Sequence, residues 1–280
     1  MNDPAGGARD IAPPDEHNGD LMELTAEMQQ EGTAPAPPKA MNMVGKSAQL
    51  LDLLAEGVSR FSQLSRITGH SNGTLHRLLK NLSDAGFVSQ DPLTKDYFLS
   101  ADLLRLAAKM ESQFSRHVIV ASDEMYALRD IIGETVCLCR RMGTRKAIVE
   151  EIVSLHGIKF EYGRGYSSRF HSGATGAALM SHMPVDDLRY VLERVPLEME
   201  TSKTVMNPAQ ILARVQEVTQ IGYAISFGEV TPGTASISVP IQDGTGLYAL
   251  TVVGPATRFY PLGAAEQVMA ASRRIEARLR

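Results

Sequence analysis

The sequence has no tryptophan, only two cysteines and just 6% aromatic residues. Cys137 and Cys139 stand one residue apart, too close for an ordinary disulfide staple, so a cross-linked secreted scaffold is excluded. No run of about 18 apolar residues occurs, which leaves nothing to span a membrane as a helix. The N-terminus lacks a basic stretch followed by an apolar one, so a cytoplasmic protein is expected. Enzyme signatures are missing as well: there is no G-x-S-x-G elbow, no H-E-x-x-H helix, and no Walker or dinucleotide glycine motif. No catalytic residue, cofactor or metal is therefore expected. A metal site at the two cysteines would need further ligands, for which His156 or His171 are only guesses. Side chains alternate along a strand, so two buried thiols on one face fit the spacing better.

An overall basic charge is also absent, since the formal net charge is −4. Its distribution matters more than its sum. Residues 1–40 hold two basic and eight acidic side chains, net −6, so the rest of the chain carries +2. That balance neither favours nor excludes a nucleic-acid partner. The same forty residues hold six of the fourteen prolines and no sustained apolar periodicity, with "APAPPKA" reading as a linker. A disordered acidic tail is expected there, with a transient helix at "LMELTAEMQQ".

What is present begins at Ser47. "SAQLLDLLAE" places Leu50, Leu51, Leu53 and Leu54 on a broad helical face that stops at Gly57. A short helix follows, with Ser62 as N-cap, Leu64 and Ile67 inward and Gly69 at its end. Ser71 caps the next helix, where Leu75, Leu78, Leu79 and Leu82 recur at spacings of three and four before Gly86. "FVSQ" and "DYFLS" then flank "DPLTK", a hairpin signal. Helix, helix, tight turn, helix and a two-stranded wing is the order of a winged helix-turn-helix, assigned to residues 41–100.

A helix-turn-helix lays the N-terminal residues of its second helix against base edges in the major groove. The local demands are met by the small Ser65 in the first helix, Gly69 in the turn and the inward leucines of the second helix. The opposite face then presents Ser71, Asn72, Gly73, Thr74, His76, Arg77 and Lys80, with Lys95 at the wing tip within reach of a phosphate. Gly73 weakens the first helical turn by about 0.5–1 kcal/mol relative to alanine. It either clears the closest approach to DNA or is merely tolerated by a capped turn.

Beyond the wing, "ADLLRLAAKMESQF" repeats apolar residues at Leu103, Leu106, Ala107, Met110 and Phe114, a linker helix over 101–116. Another helix runs from about His117 to Ile132, with Ala121, Met125, Leu128 and Ile132 on one face. Strand-like runs follow at "TVCLCRRM", "KAIVEEIV", "GIKFEYG", "GYAISF", "TASISVPI" and "LYALTVVG", with helices near 172–182, 185–194, 208–220 and 261–279. Mixed strands and helices over 117–280 read as an α+β sensor-like domain. A helix starting near His171 would aim free N–H groups at an anion. The small residues of "GATGAA" either clear space for a ligand or let that helix pack closely.

The stretch "LSRITGHSNGTLHRLLKNLSDAGFVSQDP" resembles the helix-turn-helix of the IclR family of bacterial transcriptional regulators. "HSGATGAAL" followed by "MP", then "GYAISFGEVTPGTASISVPI" and "VGPATRF", resemble its effector-binding half in the same order, so the likeness spans about residues 45–275. It implies a GAF-like effector-binding domain whose pocket falls on Phe160, Ala174, Thr175, Ser226, Ser236, Thr251 and Val253. It also implies operator DNA as a partner, a homodimer or dimer of dimers, and a small organic effector, aromatic or carboxylic. Departures are visible. The family often has a proline and a basic or polar residue before its serine–threonine pair, where this chain has Ser71-Asn72-Gly73-Thr74. The position after the turn glycine is usually apolar but here is His70, and some relatives have an acidic residue where Ser226 stands.

The expected function is a ligand-responsive DNA-binding regulator, a repressor of a catabolic operon. An enzyme that keeps a winged helix for assembly would need titratable groups in the pocket. A protein-interaction module would show no salt-dependent affinity for duplex DNA.

Overall fold

The computed structural model describes residues 42–245 and 247–280, so the expected tail and its transient helix lie outside the described residues. The chain forms two compact units, one ending at Phe114 and the other running Ser115–Arg280.

In the first unit, α1 (Met43–Ala55) starts four residues earlier than Ser47, because the Asn42 side chain accepts from Gly45 N at 2.9 Å and caps it. Helix α2 (Phe61–Thr68) begins after Arg60 without a side-chain cap, which places Ser62 inside the first turn instead of before it. Gly69 takes φ +66°, a left-handed conformation that ends α2 and frees the chain to turn. Ser71 then accepts from Thr74 N and caps α3 (Asn72–Asp84). The wing pairs β1 (Val88–Gln90) with β2 (Tyr97–Leu99), and α4 (Ala101–Glu111) follows. Leu50, Leu64, Leu75, Leu78 and Leu79 are fully buried together, each worth about 1.5–3 kcal/mol of burial. Ile67, expected inward, lies in the last turn of α2 outside this cluster and stays half exposed.

The second unit opens with α5 (Ser115–Ile132), whose Ala121, Met125 and Leu128 are buried. Its six-stranded sheet has the order β5-β4-β3-β8-β7-β6, every neighbouring pair antiparallel. The strands are β3 (Thr135–Met142), β4 (Arg145–Ile152), β5 (Ser167–Arg169), β6 (Ala224–Phe227), β7 (Thr234–Ile241) and β8 (Tyr248–Pro255). Helix α5 and the C-terminal α9 (Ala265–Leu279), preceded by a 3-10 turn at Pro261–Ala264, lie against one face. Helices α6 (Gly173–Met180), α7 (Val185–Arg194) and α8 (Pro208–Ile221) build a second core on the other, which also takes Ala249.

The run "GIKFEYG", read as a strand, is irregular instead. Tyr162 N and Gly163 N donate to the Glu151 carboxylate at 3.0 and 2.8 Å, and Gly163 has positive φ, so these two residues do not join the ladder; backbone pairing with β4 resumes where Gly165 N donates to Ile148 O. The edge of β4 is taken by β5, a three-residue strand too short to show alternation.

All eight residues of α6 are buried. Gly176 is the reason this helix can sit where it does. A Cβ there would stand 2.4 Å from Phe170 O and 3.0 Å from His171 C, both backbone atoms that cannot swing away. Gly176→Ala should therefore destabilise the fold by about 1–3 kcal/mol through overpacking. Urea unfolding of the variant checks this, and an unchanged midpoint would contradict the close approach.

Candidate functional site

The N-terminal half of α3 stands out from the first unit. Ser71, Asn72 and Gly73 are exposed, and a Cβ added at Gly73 would meet nothing within 4 Å. Nothing inside the unit demands glycine there. Ser65 Oγ donates to Asn72 Oδ1 at 3.2 Å, which leaves the Asn72 amide hydrogens facing outward. Thr74 is turned toward the cap, accepting from Ser71 Oγ at 3.0 Å. His76 stacks on Phe61 with ring centroids 4.2 Å apart, so its ring is braced across the helix pair. Arg77 is exposed with no ion pair among the described residues. Lys80 pairs with Asp84 at 2.9 Å, but both side chains are exposed, and such i,i+4 pairs contribute only about 0.3–0.5 kcal/mol. A phosphate can displace that partner at small cost.

His76, Arg77 and Lys80 share a surface concavity with Ser83, Gln90 and Tyr97. Gln90 was not legible as a site residue, since a glutamine in a short strand has no distinguishing pattern. Its Nε2 donates to Lys95 O at 2.9 Å and ties the wing tip, where Lys95 takes φ +64°. Asp91 supports the same turn. Its carboxylate accepts from Thr94 N at 2.8 Å and Leu93 N at 2.7 Å, and these bonds hold it below the usual carboxylate range.

In the second unit a cavity of about 70 Å³, partly open to solvent, lies between the sheet and the start of α6. Ala174, Thr175, Ser226, Ser236, Thr251 and Val253 all line it, the residues carried over from the family resemblance. Phe160 does not. It sits in the irregular loop, where its carbonyl accepts from Thr135 Oγ1 at 2.7 Å and its ring lies 6.2 Å from that of Tyr162. His171 faces a neighbouring hollow with Arg169, Phe170 and Arg194. Burial, and after it the nearby Lys146 ammonium, pushes the His171 imidazole down to about 4, so the ring is neutral and its buried Nε2 has no partner.

The cavity gains further walls that the sequence did not single out: Lys146, Ile148, Tyr162, Tyr166, Ser168 and Val230. Cys137 and Cys139, spaced to share one strand face, do share it and line the cavity as free buried thiols. Burial pushes Cys139 up to about 11 and Cys137 well above its usual value, so neither is a thiolate at neutral pH. Among the described residues no cluster of three potential metal ligands occurs. Tyr162 is likewise pushed up to about 12 by burial and is a neutral phenol.

Lys146 has no distinguishing signal in the sequence, since Arg145 precedes it and Glu150 and Glu151 follow in the same strand. It is 5% exposed, and its Nζ donates to Arg169 O, to Ser172 O at 2.8 Å and to Ser172 Oγ at 2.9 Å. Burial lowers it to about 8, against the pull of the Glu200 carboxylate. The hydroxyls of the cavity are paired among themselves. Thr175 Oγ1 and Thr251 Oγ1 are 3.0 Å apart, Thr251 Oγ1 and Ser238 Oγ 2.6 Å, and Ser226 Oγ and Ser236 Oγ 2.9 Å.

Comparison with known proteins bears on both units. The family pattern for the bacterial transcriptional regulator IclR C-terminal matches residues 115–277, and that for the IclR helix-turn-helix domain matches residues 44–92. The HTH-type transcriptional regulator KipR of Bacillus subtilis is 27% identical over 199 residues, 71% of this chain and 79% of that one. A glycerol operon regulatory protein of Streptomyces coelicolor is 30% identical over 71% of this chain and 78% of its own. In fold, the chain is similar to the crystal structure of the Thermotoga maritima IclR, with a TM-score of 0.64 at 21% identity, covering 86% of this chain and 99% of that one. An IclR homolog from Microbacterium hydrocarbonoxydans, complexed with 4-hydroxybenzoate, aligns with a TM-score of 0.65 at 20% identity over 85% of this chain and 99% of its own.

The buried Lys146 has a testable pH signature. Its native value of about 8 lies below the ordinary 10.5, so between those values the unfolded chain binds more protons than the native one. Stability from this group therefore rises with pH from 8 to 10.5, with a slope of at most about 1.4 kcal/mol per pH unit. The difference in unfolding free energy between wild type and Lys146→Met should shift in favour of wild type across that window. Comparing the two chains cancels the titration of Tyr162, and a flat difference would show that Lys146 is not buried as a cation.

Proposed function

Because the chain belongs to the IclR family of bacterial transcriptional regulators, we propose that it represses a catabolic operon under the control of a small organic metabolite held in the β3–β8 cavity. It is a DNA-binding regulator with an N-terminal helix-turn-helix and a GAF-like effector-binding domain, and not an enzyme. The observation that carries the DNA half of the reading is the outer face of α3. There, outward amide hydrogens on Asn72, an Arg77 with no ion pair among the described residues and a loosely held Lys80 flank a glycine that the fold does not require. Arg77 suits guanine N7 and O6, while Lys80 and Lys95 suit phosphates. The cavity supports the sensing half, since its wall mixes apolar side chains with a few hydroxyls.

The working form is a homodimer, and by family likeness a dimer of dimers, acting in the cytoplasm. Two recognition helices read half-sites about 34 Å apart, one turn of duplex. Helix α4 supports this assembly. No residue of Ala101–Glu111 is buried, and Leu106 and Met110 are each 44% exposed. An apolar stripe of that kind needs a cover, and a second copy of α4 supplies one of matching shape.

Arg77→Ala should weaken operator binding by about 1–3 kcal/mol if Arg77 reads a guanine. If it meets only phosphate, operator and random DNA should lose affinity alike and the salt slope should become shallower. Fluorescence anisotropy at several salt concentrations separates the two, and unchanged affinity for both DNAs would remove α3 from the interface. Leu106→Asp should shift the protein toward monomer in analytical ultracentrifugation and weaken operator binding, leaving the cavity intact. Dimers of wild-type strength in that variant would place the dimer contact elsewhere.

A further inference from the structure

The cavity differs from an anion site in a way that follows from where each nearby charge is engaged. Among the described residues Lys146 is its one lining ammonium or guanidinium group, and all three donors of that ammonium are used by Arg169 O, Ser172 O and Ser172 Oγ. The start of α6 is the other place where an anion would come to rest, because Ser172 does not cap it with its side chain. The first N–H group of that start is taken from within. The Glu229 carboxylate accepts from Gly173 N at 3.2 Å and is gripped in turn by Arg214, with both oxygens at 2.8 Å from its guanidinium. Glu151, beside Cys137, gives its two oxygens to Tyr162 N and Gly163 N. Glu200 accepts from Ser172 Oγ at 2.7 Å, which closes the chain of partners behind Lys146.

A carboxylate entering this space would lose its hydration and find no unoccupied cationic donor, with the Glu200 and Glu229 charges close behind the wall. An uncharged ligand meets a different surface. The Ser226–Ser236 pair shares one hydrogen internally and keeps another hydrogen and spare lone pairs for a guest, and the Ser238–Thr251–Thr175 chain keeps one hydrogen beyond its two internal bonds. Around them Ile148, Val253 and the neutral ring of Tyr162 form an apolar wall. We propose that the effector of this protein is an uncharged small molecule, an aromatic or aliphatic body bearing a hydroxyl, carbonyl or amide group, and that carboxylates are rejected. This rests on the reading of the β3–β8 cavity as the effector site.

The test uses matched pairs on the full-length chain: benzyl alcohol and benzamide against benzoate, 2-phenylethanol and phenylacetamide against phenylacetate, hexanamide against hexanoate. Ligand-observed NMR gives affinities, and methyl shifts of Ile148 and Val253 report where each ligand sits. Uncharged members should bind at least about tenfold more tightly than their carboxylates, a difference of about 1.4 kcal/mol. Their binding should shift the two methyls and be lost in Thr175→Trp, which fills the cavity. Carboxylates that bind as tightly and shift the same methyls would overturn the neutral class while leaving the cavity as the effector site. Failure of every uncharged member to bind would also overturn it. Binding that leaves the methyls unmoved and survives Thr175→Trp would instead overturn the cavity reading itself. Should the tryptophan variant not fold, the methyl shifts in the wild-type chain decide alone.

Discussion

The ammonium of Lys146, second residue of β4, is held by the carbonyls of Arg169 and Ser172 and by the Ser172 hydroxyl, and much of the second unit depends on that grip. A buried cation is tolerated only where oxygens replace its water, so the chain from Arg169 to Ser172 has to pass over β4 at one height. That height puts Phe170 O against the first turns of α6, where only a glycine fits, and Gly176 is there. With α6 seated, its first N–H meets Glu229 from beyond β6, and Arg214 of α8 completes the pair. Four segments far apart in sequence are thereby locked around the mouth of one cavity.

The two units use charge in opposite ways. The first leaves it available: Arg77 is unpaired among the described residues, and the Lys80–Asp84 pair is exposed and weak. The second closes it off. Glu134, 3% exposed, is held bidentate by Arg258 at 2.6 and 2.8 Å, and Glu229 by Arg214 in the same manner. Available charge suits a polyanionic partner whose counterions are released on binding. Closed charge suits a cavity that selects by shape and hydrogen bonding. An overall net charge of −4 conceals this division, because it sums a strongly acidic N-terminal segment with the rest.

How much of this was legible in the sequence follows the range of each interaction. The first unit is built from local signals, so leucine spacing, the Ser71 cap and Gly69 gave α3 and the wing close to their observed bounds. Caps that compete locally were harder: Asn42 and Ser47 could each begin α1, and Ser62 gave way to an uncapped start at Phe61. In the second unit the long strands β3 and β7 were plain, while "GIKFEYG" alternates like a strand yet gives the N–H groups of Tyr162 and Gly163 to Glu151. Six of the eight cavity residues named from the sequence line one cavity; Phe160 and His171 do not. Lys146, Tyr162 and Tyr166 were missed because their roles arise only when strands distant in sequence pair.

Selection by shape bears on how a ligand can act on DNA at all. A ligand shifts an equilibrium only by its differential affinity for two arrangements of the protein. In this cavity that difference has to come from packing and from the hydroxyl pairs, which can re-form with a guest inside them. The Ser238–Thr251–Thr175 chain runs from β7 through β8 to α6, so a guest that takes over one of its hydrogens alters how α6 is held to the sheet. Couplings of about 1–3 kcal/mol are typical of allosteric proteins, and rearranging one or two hydrogen bonds supplies energies of that size. A neutral guest is therefore sufficient as a switch. On the proposed reading the long-range electrostatics of the molecule serve operator binding, whose affinity depends on salt, and the sensing step does not compete with it for charge.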